Sequence, residues 1–226
     1  MAMPAPEIIP GLPVFLDLRG RSCLVLGGEG EAVGKVEALL RAGARVLLLA
    51  ERVDPVLVAQ MDSGRLICSQ ESFRPDHLND VWFVLSTLQD SDVNAILQVE
   101  AERRRIFVNV VDHRRYCSAL WPAVIHRPPV TVAFSTGGAS PALAGYLRRK
   151  IAAALPEKMG ALATWLSGWR GMISVRFPEL TARGNFWRRV LDDGVVERYL
   201  AGDIHGAEKM ILQELPHQSL DDQARP

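Results

Sequence analysis

The sequence predicts an α/β protein built on a doubly wound parallel sheet. Three observations predict it. Residues 22–51 read as strand, glycine turn, helix and second strand in about 30 residues, the size of a parallel βαβ unit. Residues 81–86, Val-Trp-Phe-Val-Leu-Ser, are apolar nearly throughout, as a strand covered on both faces requires. Strand-like runs then alternate with helical ones as far as Asp112, which favours parallel crossovers.

Taken in order, residues 1–11 are proline-rich and predict a loose arm, and residues 13–18 predict a short strand or edge. The first core strand, Ser-Cys-Leu-Val-Leu, leads into Gly27-Gly28-Glu29-Gly30-Glu31-Ala32. Val33, Val36, Leu39 and Leu40 then recur at helical spacing up to Gly43, and residues 45–51 close the unit. Asp54 and Pro55 suit the cap and first position of a short helix over 54–61. Residues 65–69 are a third strand, 81–86 a fourth, 91–105 a helix and 106–111 a fifth strand. Beyond Asp112 the pattern changes. Runs at 120–126 and 130–135 flank Arg127-Pro128-Pro129, where the prolines favour a turn or an edge. Ser140 and Pro141 suit a helix start, Pro156 ends that helix, and the chain to about Leu215 reads as short helical pieces. The aromatic residues Trp165, Trp169, Phe177, Phe186 and Trp187 there are expected in a core. Residues 217–226 are polar and expected to be disordered.

Composition narrows the function classes. At 226 residues and 48% apolar, the chain can bury one large core or two small ones. Its 26 basic and 26 acidic residues balance, so no overall charge draws it to nucleic acid or an anionic membrane. Cys23, Cys68 and Cys117 form neither a metal motif nor an even disulfide set, which fits a reducing cytoplasm. Residues 1–10 lack the basic start and apolar run of a signal peptide, and no apolar stretch reaches the roughly 18 residues of a membrane span.

Candidate chemistry gathers in three places. The glycine turn lets the backbone approach a phosphate, and the following helix start favours its charge. The fingerprint G-x-G-x-x-G/A is imperfect: from Gly27 it meets Glu29 and Ala32, from Gly28 it meets Gly30 and Val33. A turn that binds nothing is the alternative. Glu51 stands where a carboxylate accepts ribose hydroxyls, and Arg52 beside it leaves NADP open. Second, residues 109–113, Asn-Val-Val-Asp-His, put Asp112 at the carboxyl edge of the sheet. There it could be a general base, a transient metal ligand or merely a loop cap; His113 is more ordinarily a surface side chain. Third, residues 135–141, Ser-Thr-Gly-Gly-Ala-Ser-Pro, offer hydroxyls and N–H groups to an anion, or simply cap a helix. Around these lie Arg103, Arg104, Arg105, Arg114, Arg115, Arg148, Arg149 and Lys150, mostly solvated faces, a few able to meet a polyanion.

These stretches together, with residues 13–18, 25–28, 39–44, 104–112, 121–125 and 135–144, resemble the siroheme synthase N-terminal region, the precorrin-2 dehydrogenase and sirohydrochlorin ferrochelatase family, over about residues 13–187. The resemblance implies a Rossmann-like parallel sheet followed by a small dimerisation region and a C-terminal helical region, in a homodimer. Its implied divisions are 1–112 for the NAD-binding domain, 113–150 for a dimerisation and substrate region, 151–216 for helices and 217–226 for a tail. It implies NAD-dependent oxidation of precorrin-2 to sirohydrochlorin, and in some members insertion of ferrous iron. The family aspartate falls on Asp112. Dinucleotide contacts fall on Gly27, Gly28, Gly30, Glu31, Glu51, Arg52 and Thr87, and the tetrapyrrole substrate on Asn109, His113, Ser135, Thr136 and Gly137. A chain of this length is expected to lack the methyltransferase half of the fused enzymes.

The pattern departs from the family at Glu29, where members usually carry a third glycine, at Leu88-Gln89, where they show Thr-Asp or Thr-Asn, and in the basic run at 113–117. A carboxylate at position 29 would repel a pyrophosphate. Two rival readings follow: a chelatase or tetrapyrrole-binding protein with a degenerate nucleotide turn, or a non-enzymatic ligand sensor on a Rossmann fold.

Overall fold

The computed structural model describes residues 11–61 and 64–215. The arm at 1–10 and the tail from 216 onward lie outside the described residues. By internal contacts the chain divides into two units, Met1–Pro122 with Ser135–Pro141, and Ala123–Phe134 with Ala142–Pro226.

The first unit is a five-stranded parallel sheet in the order β3-β2-β1-β4-β5. Its strands are β1 (Ser22–Gly28), β2 (Arg45–Val53), β3 (Leu66–Ser69), β4 (Val81–Ser86) and β5 (Phe107–Val110). The helices α1 (Glu31–Arg41), α2 (Pro55–Val58) and α3 (Ser91–Arg103) lie between them in sequence. Consecutive side chains on a strand face opposite ways, so a central strand must be apolar at every position. Leu24 and Leu26 accordingly join Val84, Leu97 and Val108 in one core cluster, while Cys23 and Val25 join Val36, Leu39 and Leu48 in another. The helix starts also follow the sequence. Asp54 Oδ1 accepts from Val56 N at 2.9 Å with Pro55 in the first turn. Asp90 Oδ1 accepts from Asp92 N and Val93 N, so α3 is capped by an aspartate one residue before the expected start.

Residues 13–18 form no strand. They pair with neither edge of the sheet, β3 or β5. Leu18 alone is buried, tucked into the first core, while Leu12, Val14 and Phe15 stay exposed.

In the second unit β6 (Ala123–Arg127) and β7 (Val130–Phe134) make an antiparallel hairpin, with Ile125 opposite Val132. The prolines at 128 and 129 occupy its turn. Five helices follow: α4 (Pro141–Ala154), α5 (Met159–Arg176), α6 (Leu180–Val190), α7 (Val196–Ala201) and α8 (Ile204–Gln213). The helix α5 is longer than the short pieces expected, because no proline interrupts residues 159–176. Phe186 is fully buried, with Ile173, Val190 and Ile211 beside it and Trp165, Trp169, Phe177 and Trp187 packed around them. Of the five aromatic residues expected in a core, Phe186 lies at its centre and the other four are partly buried around it.

Candidate functional site

The order of the strands places the site. β1 has β2 on one side and β4 on the other, so successive connections leave it in opposite directions. In such sheets a crevice opens at the carboxyl ends of the strands on either side of that reversal. Two backbone bonds mark where the ladder ends: Thr87 N donates to Leu26 O, and Val111 N donates to Ser86 O, each at 2.9 Å. Gly27, Thr87 and Val111 are therefore the first residues past the last β1–β4 and β4–β5 pairs, and Asp112 follows directly on Val111. With neighbouring strands just under 5 Å apart, Asp112 stands about 10 Å across the edge from the glycine turn.

At the turn, backbone comes close to backbone. A Cβ on Gly28 would lie 2.5 Å from Arg52 O and 2.8 Å from Ala50 Cβ. A Cβ on Gly27 would collide with the Thr87 hydroxyl, which donates to Leu26 O at 3.1 Å. Gly30 precedes α1 with φ +58 and supplies no side-chain cap. In the first turn of α1, Ala32 N and Val33 N donate to Glu29 O and Gly30 O, each at 3.2 Å, and the positive end of the helix with the open glycine turn leaves the space and the field that a phosphate needs. These features fit a dinucleotide. Glu31 opens α1 and is bridged to Lys35 at 3.4 Å. Glu51 and Arg52 are exposed at the end of β2. Arg52 Nη2 reaches Glu29 Oε2 at 3.1 Å, so the odd carboxylate of the turn carries its own counter-charge.

Asp112 is exposed and sits in the left-handed region, with φ +61. Aspartate tolerates that conformation better than most residues, yet it still stores of order 1–3 kcal/mol of strain there. The turn that imposes it is closed by His113 N donating to Val110 O at 3.3 Å. His113 Nε2 lies 2.9 Å from Gln89 Oε1, the residue standing at the family's departure after β4. Asn109 is buried, and its Nδ2 donates to Ala119 O at 2.9 Å. That bond anchors the returning loop. Cys117 does the same: its thiol donates to Val110 O and accepts from Val110 N, both at 3.2 Å, and burial pushes its pKa up.

The turn at 135–140 spends its hydroxyls on itself. Ser135 Oγ accepts from Gly137 N at 3.0 Å, and Thr136 Oγ1 accepts from Ser140 N at 3.2 Å. Gly138 lies against the Arg114 guanidinium. Arg114 is the residue that sequence reasoning left among the solvated bases, although the run at 113–115 was a signal. No group of three or more metal-ligating side chains occurs among the described residues.

Comparison with known proteins now bears on this geometry. Residues 14–123 match the family described as "Putative NAD(P)-binding", and residues 158–215 match the "Sirohaem synthase dimerisation region". The chain is similar to the siroheme synthases across both regions. A siroheme synthase of Sodalis glossinidius is 37% identical over 204 residues, covering 90% of this chain and 43% of that protein. One of Nitrosospira multiformis is 38% identical over 212 residues, 92% of this chain and 45% of that protein. The chain thus spans less than half the length of the curated relatives it matches. A solved structure titled SirC, precorrin-2 dehydrogenase, superposes with a TM-score of 0.73 over 90% of this chain and 98% of that one, at 23% identity. At that identity it shows the fold, the α/β architecture described above. The dimerisation description falls on α5 to α8, beyond the 113–150 stretch to which the sequence reading assigned it. No helix among the described residues is long and apolar enough to cross a membrane.

Proposed function

We propose that this chain catalyses the NAD-dependent oxidation of precorrin-2 to sirohydrochlorin, as a homodimer whose association surface lies in 158–215. The observation that carries the reading is the exposed carboxylate of Asp112, on a residue whose backbone is held at positive φ, at the same sheet edge as a glycine turn built for backbone approach. When bound, NAD supplies the hydride acceptor. The glycine turn and the start of α1 hold its phosphates, Glu51 accepts from its ribose, and Thr87 backs the turn at Gly27. Asp112 takes the proton that the macrocycle releases, and residues 135–137 with His113 orient the substrate. Ferrous iron enters this scheme as a second substrate in an insertion step, for which Asp112 removes pyrrole protons. The three free thiols suit a cytoplasmic setting. The direct test adds NAD to the purified protein and precorrin-2 and follows the absorbance of sirohydrochlorin. Formation that depends on NAD is expected; formation at the same rate without it would end the dehydrogenase reading.

Glu29 favours a second reading, a tetrapyrrole binder or chelatase that has lost the redox step. An acidic side chain beside a diphosphate is worth about 1 kcal/mol of repulsion in water at 4 Å. Its exposed partner Arg52 offsets part of that, since such pairs contribute little and rearrange easily. On the first reading, Glu29→Gly tightens NAD binding by about five- to tenfold by calorimetry, and improves NADP binding more, because Arg52 is then free for the 2′-phosphate. No NAD binding at millimolar concentration by either protein would leave the second reading standing.

A further inference from the structure

One side chain in the first unit has buried polar atoms that the fold itself leaves unmet. Arg114 opens a single turn, Arg114–Tyr116, directly after Asp112 and His113. Its Nε and Nη2 are shielded from solvent and have no hydrogen-bond partner. No acidic side chain pairs with it among the described residues, although Arg103, Arg104 and Arg127 all find one. A guanidinium is always charged and presents donors in a planar fork that matches a carboxylate. Leaving such donors buried and unmet is costly, and each instance in a native protein calls for a cause such as an absent ion or ligand.

What covers the fork is informative. A Cβ built on Gly138 would lie 3.0 Å from Arg114 Nη1 and 3.2 Å from its Cζ. The cover is the middle of the 135–140 turn, where Gly137 and Gly138 both have positive φ, 63° and 78°. The Ser135 and Thr136 hydroxyls bond within the turn, and Arg114 Nε and Nη2 receive no acceptor from it. Glycine backbone stands against the Nε and Nη1 side of the guanidinium, so a carboxylate arriving on that side meets a turn without side chains at 137 and 138. Asp112 lies two residues away, so a group seated there is tethered next to the reacting carboxylate.

We propose that Arg114 forms a carboxylate-binding subsite beneath the 135–140 turn, taking one peripheral carboxylate of the tetrapyrrole and fixing the macrocycle over Asp112. This rests on the functional reading above and adds to it the residue that orients the substrate. The proposal predicts an unusual pair of effects. Removing the charge weakens ligand binding and stabilises the free protein, because an apolar chain of similar length replaces a buried ion with unmet donors.

The test compares wild type, Arg114→Met and Arg114→Lys, with sirohydrochlorin as the probe, titrated by absorbance and tryptophan quenching. NAD is titrated separately by calorimetry. Arg114→Met is expected to raise the sirohydrochlorin Kd at least tenfold, leave the NAD Kd unchanged and raise the melting temperature. Arg114→Lys keeps a point charge without the fork and is expected to fall between, which covers the case in which the Met variant folds poorly. Unchanged sirohydrochlorin binding in both variants, with wild type binding normally, overturns the subsite and leaves the functional reading intact. Failure of wild type itself to bind sirohydrochlorin overturns the functional reading, and the subsite with it. A lowered melting temperature with equal loss of NAD and tetrapyrrole binding would make Arg114 structural and also overturn the subsite.

Discussion

Asp112→Asn is expected to lower kcat for sirohydrochlorin formation by roughly 100- to 10,000-fold, the range over which a positioned acid or base contributes. Asparagine is the informative replacement. It keeps the volume and, like aspartate, accepts the positive φ that this turn imposes, so the backbone is not the thing being tested. It cannot take a proton at neutral pH. Because the side chain is exposed and no hydrogen bond from it is part of the fold, the melting temperature should stay within a degree or two of wild type. NAD affinity should also stay level, since the glycine turn lies two strands away. Asp112→Ala tests the backbone separately: it should lose activity to the same degree and also some stability, about 1 kcal/mol, because alanine fits the left-handed region less well. Turnover by Asp112→Asn at the parent rate would remove Asp112 from the chemistry and leave its strain without a functional meaning.

The same residue shows how far the sequence carries and where it stops. That Asp112 stands at the carboxyl edge was legible, because the strand-like run 106–111 ended there and parallel sheets expose that edge. The five core strands were legible for the same reason: burial on both faces leaves a contiguous apolar signal. Residues 13–18 carried a similar signal and make no strand. Periodicity reports that side chains are apolar, whereas a strand also needs an unpaired neighbour, which is a property of the whole sheet. Asn109 and Arg114 were opaque for a different reason. One is a polar residue turned inward to hold Ala119, the other a charged residue whose donors are covered by a glycine turn more than twenty positions later. Neither partner is local in sequence. Glu29 was recognised as an anomaly, but its pairing with Arg52 across the β1–β2 boundary emerges only once the two strand ends are adjacent.

Gly28→Ala is the second change expected to act strongly, and it does so through one methyl group. The new Cβ would meet Arg52 O at 2.5 Å, Ala50 Cβ at 2.8 Å and Val53 Cα at 3.3 Å. Two of these atoms are backbone of β2, so no side-chain rotation relieves the contact. The β1–β2 register already slips here, between Leu26 and Gly28, and Asp54 N donates to Gly28 O at 2.9 Å. Forcing the strand ends apart therefore disturbs the turn, the start of α2 and the Glu51–Arg52 segment together. Overpacking of this kind costs about 1–3 kcal/mol, which chemical denaturation would read, and NAD affinity should fall by more than tenfold because the turn that meets the pyrophosphate is displaced. Gly34→Ala supplies the contrast within the same motif. Gly34 lies inside α1 with open space where a Cβ would go, so alanine there should stabilise by roughly 0.5–1 kcal/mol through helix propensity and leave NAD binding alone. If Gly28→Ala binds NAD as tightly as Gly34→Ala does, the dinucleotide does not sit on this turn. The carboxylate at the sheet edge would then have to be explained by tetrapyrrole binding and metal insertion without hydride transfer.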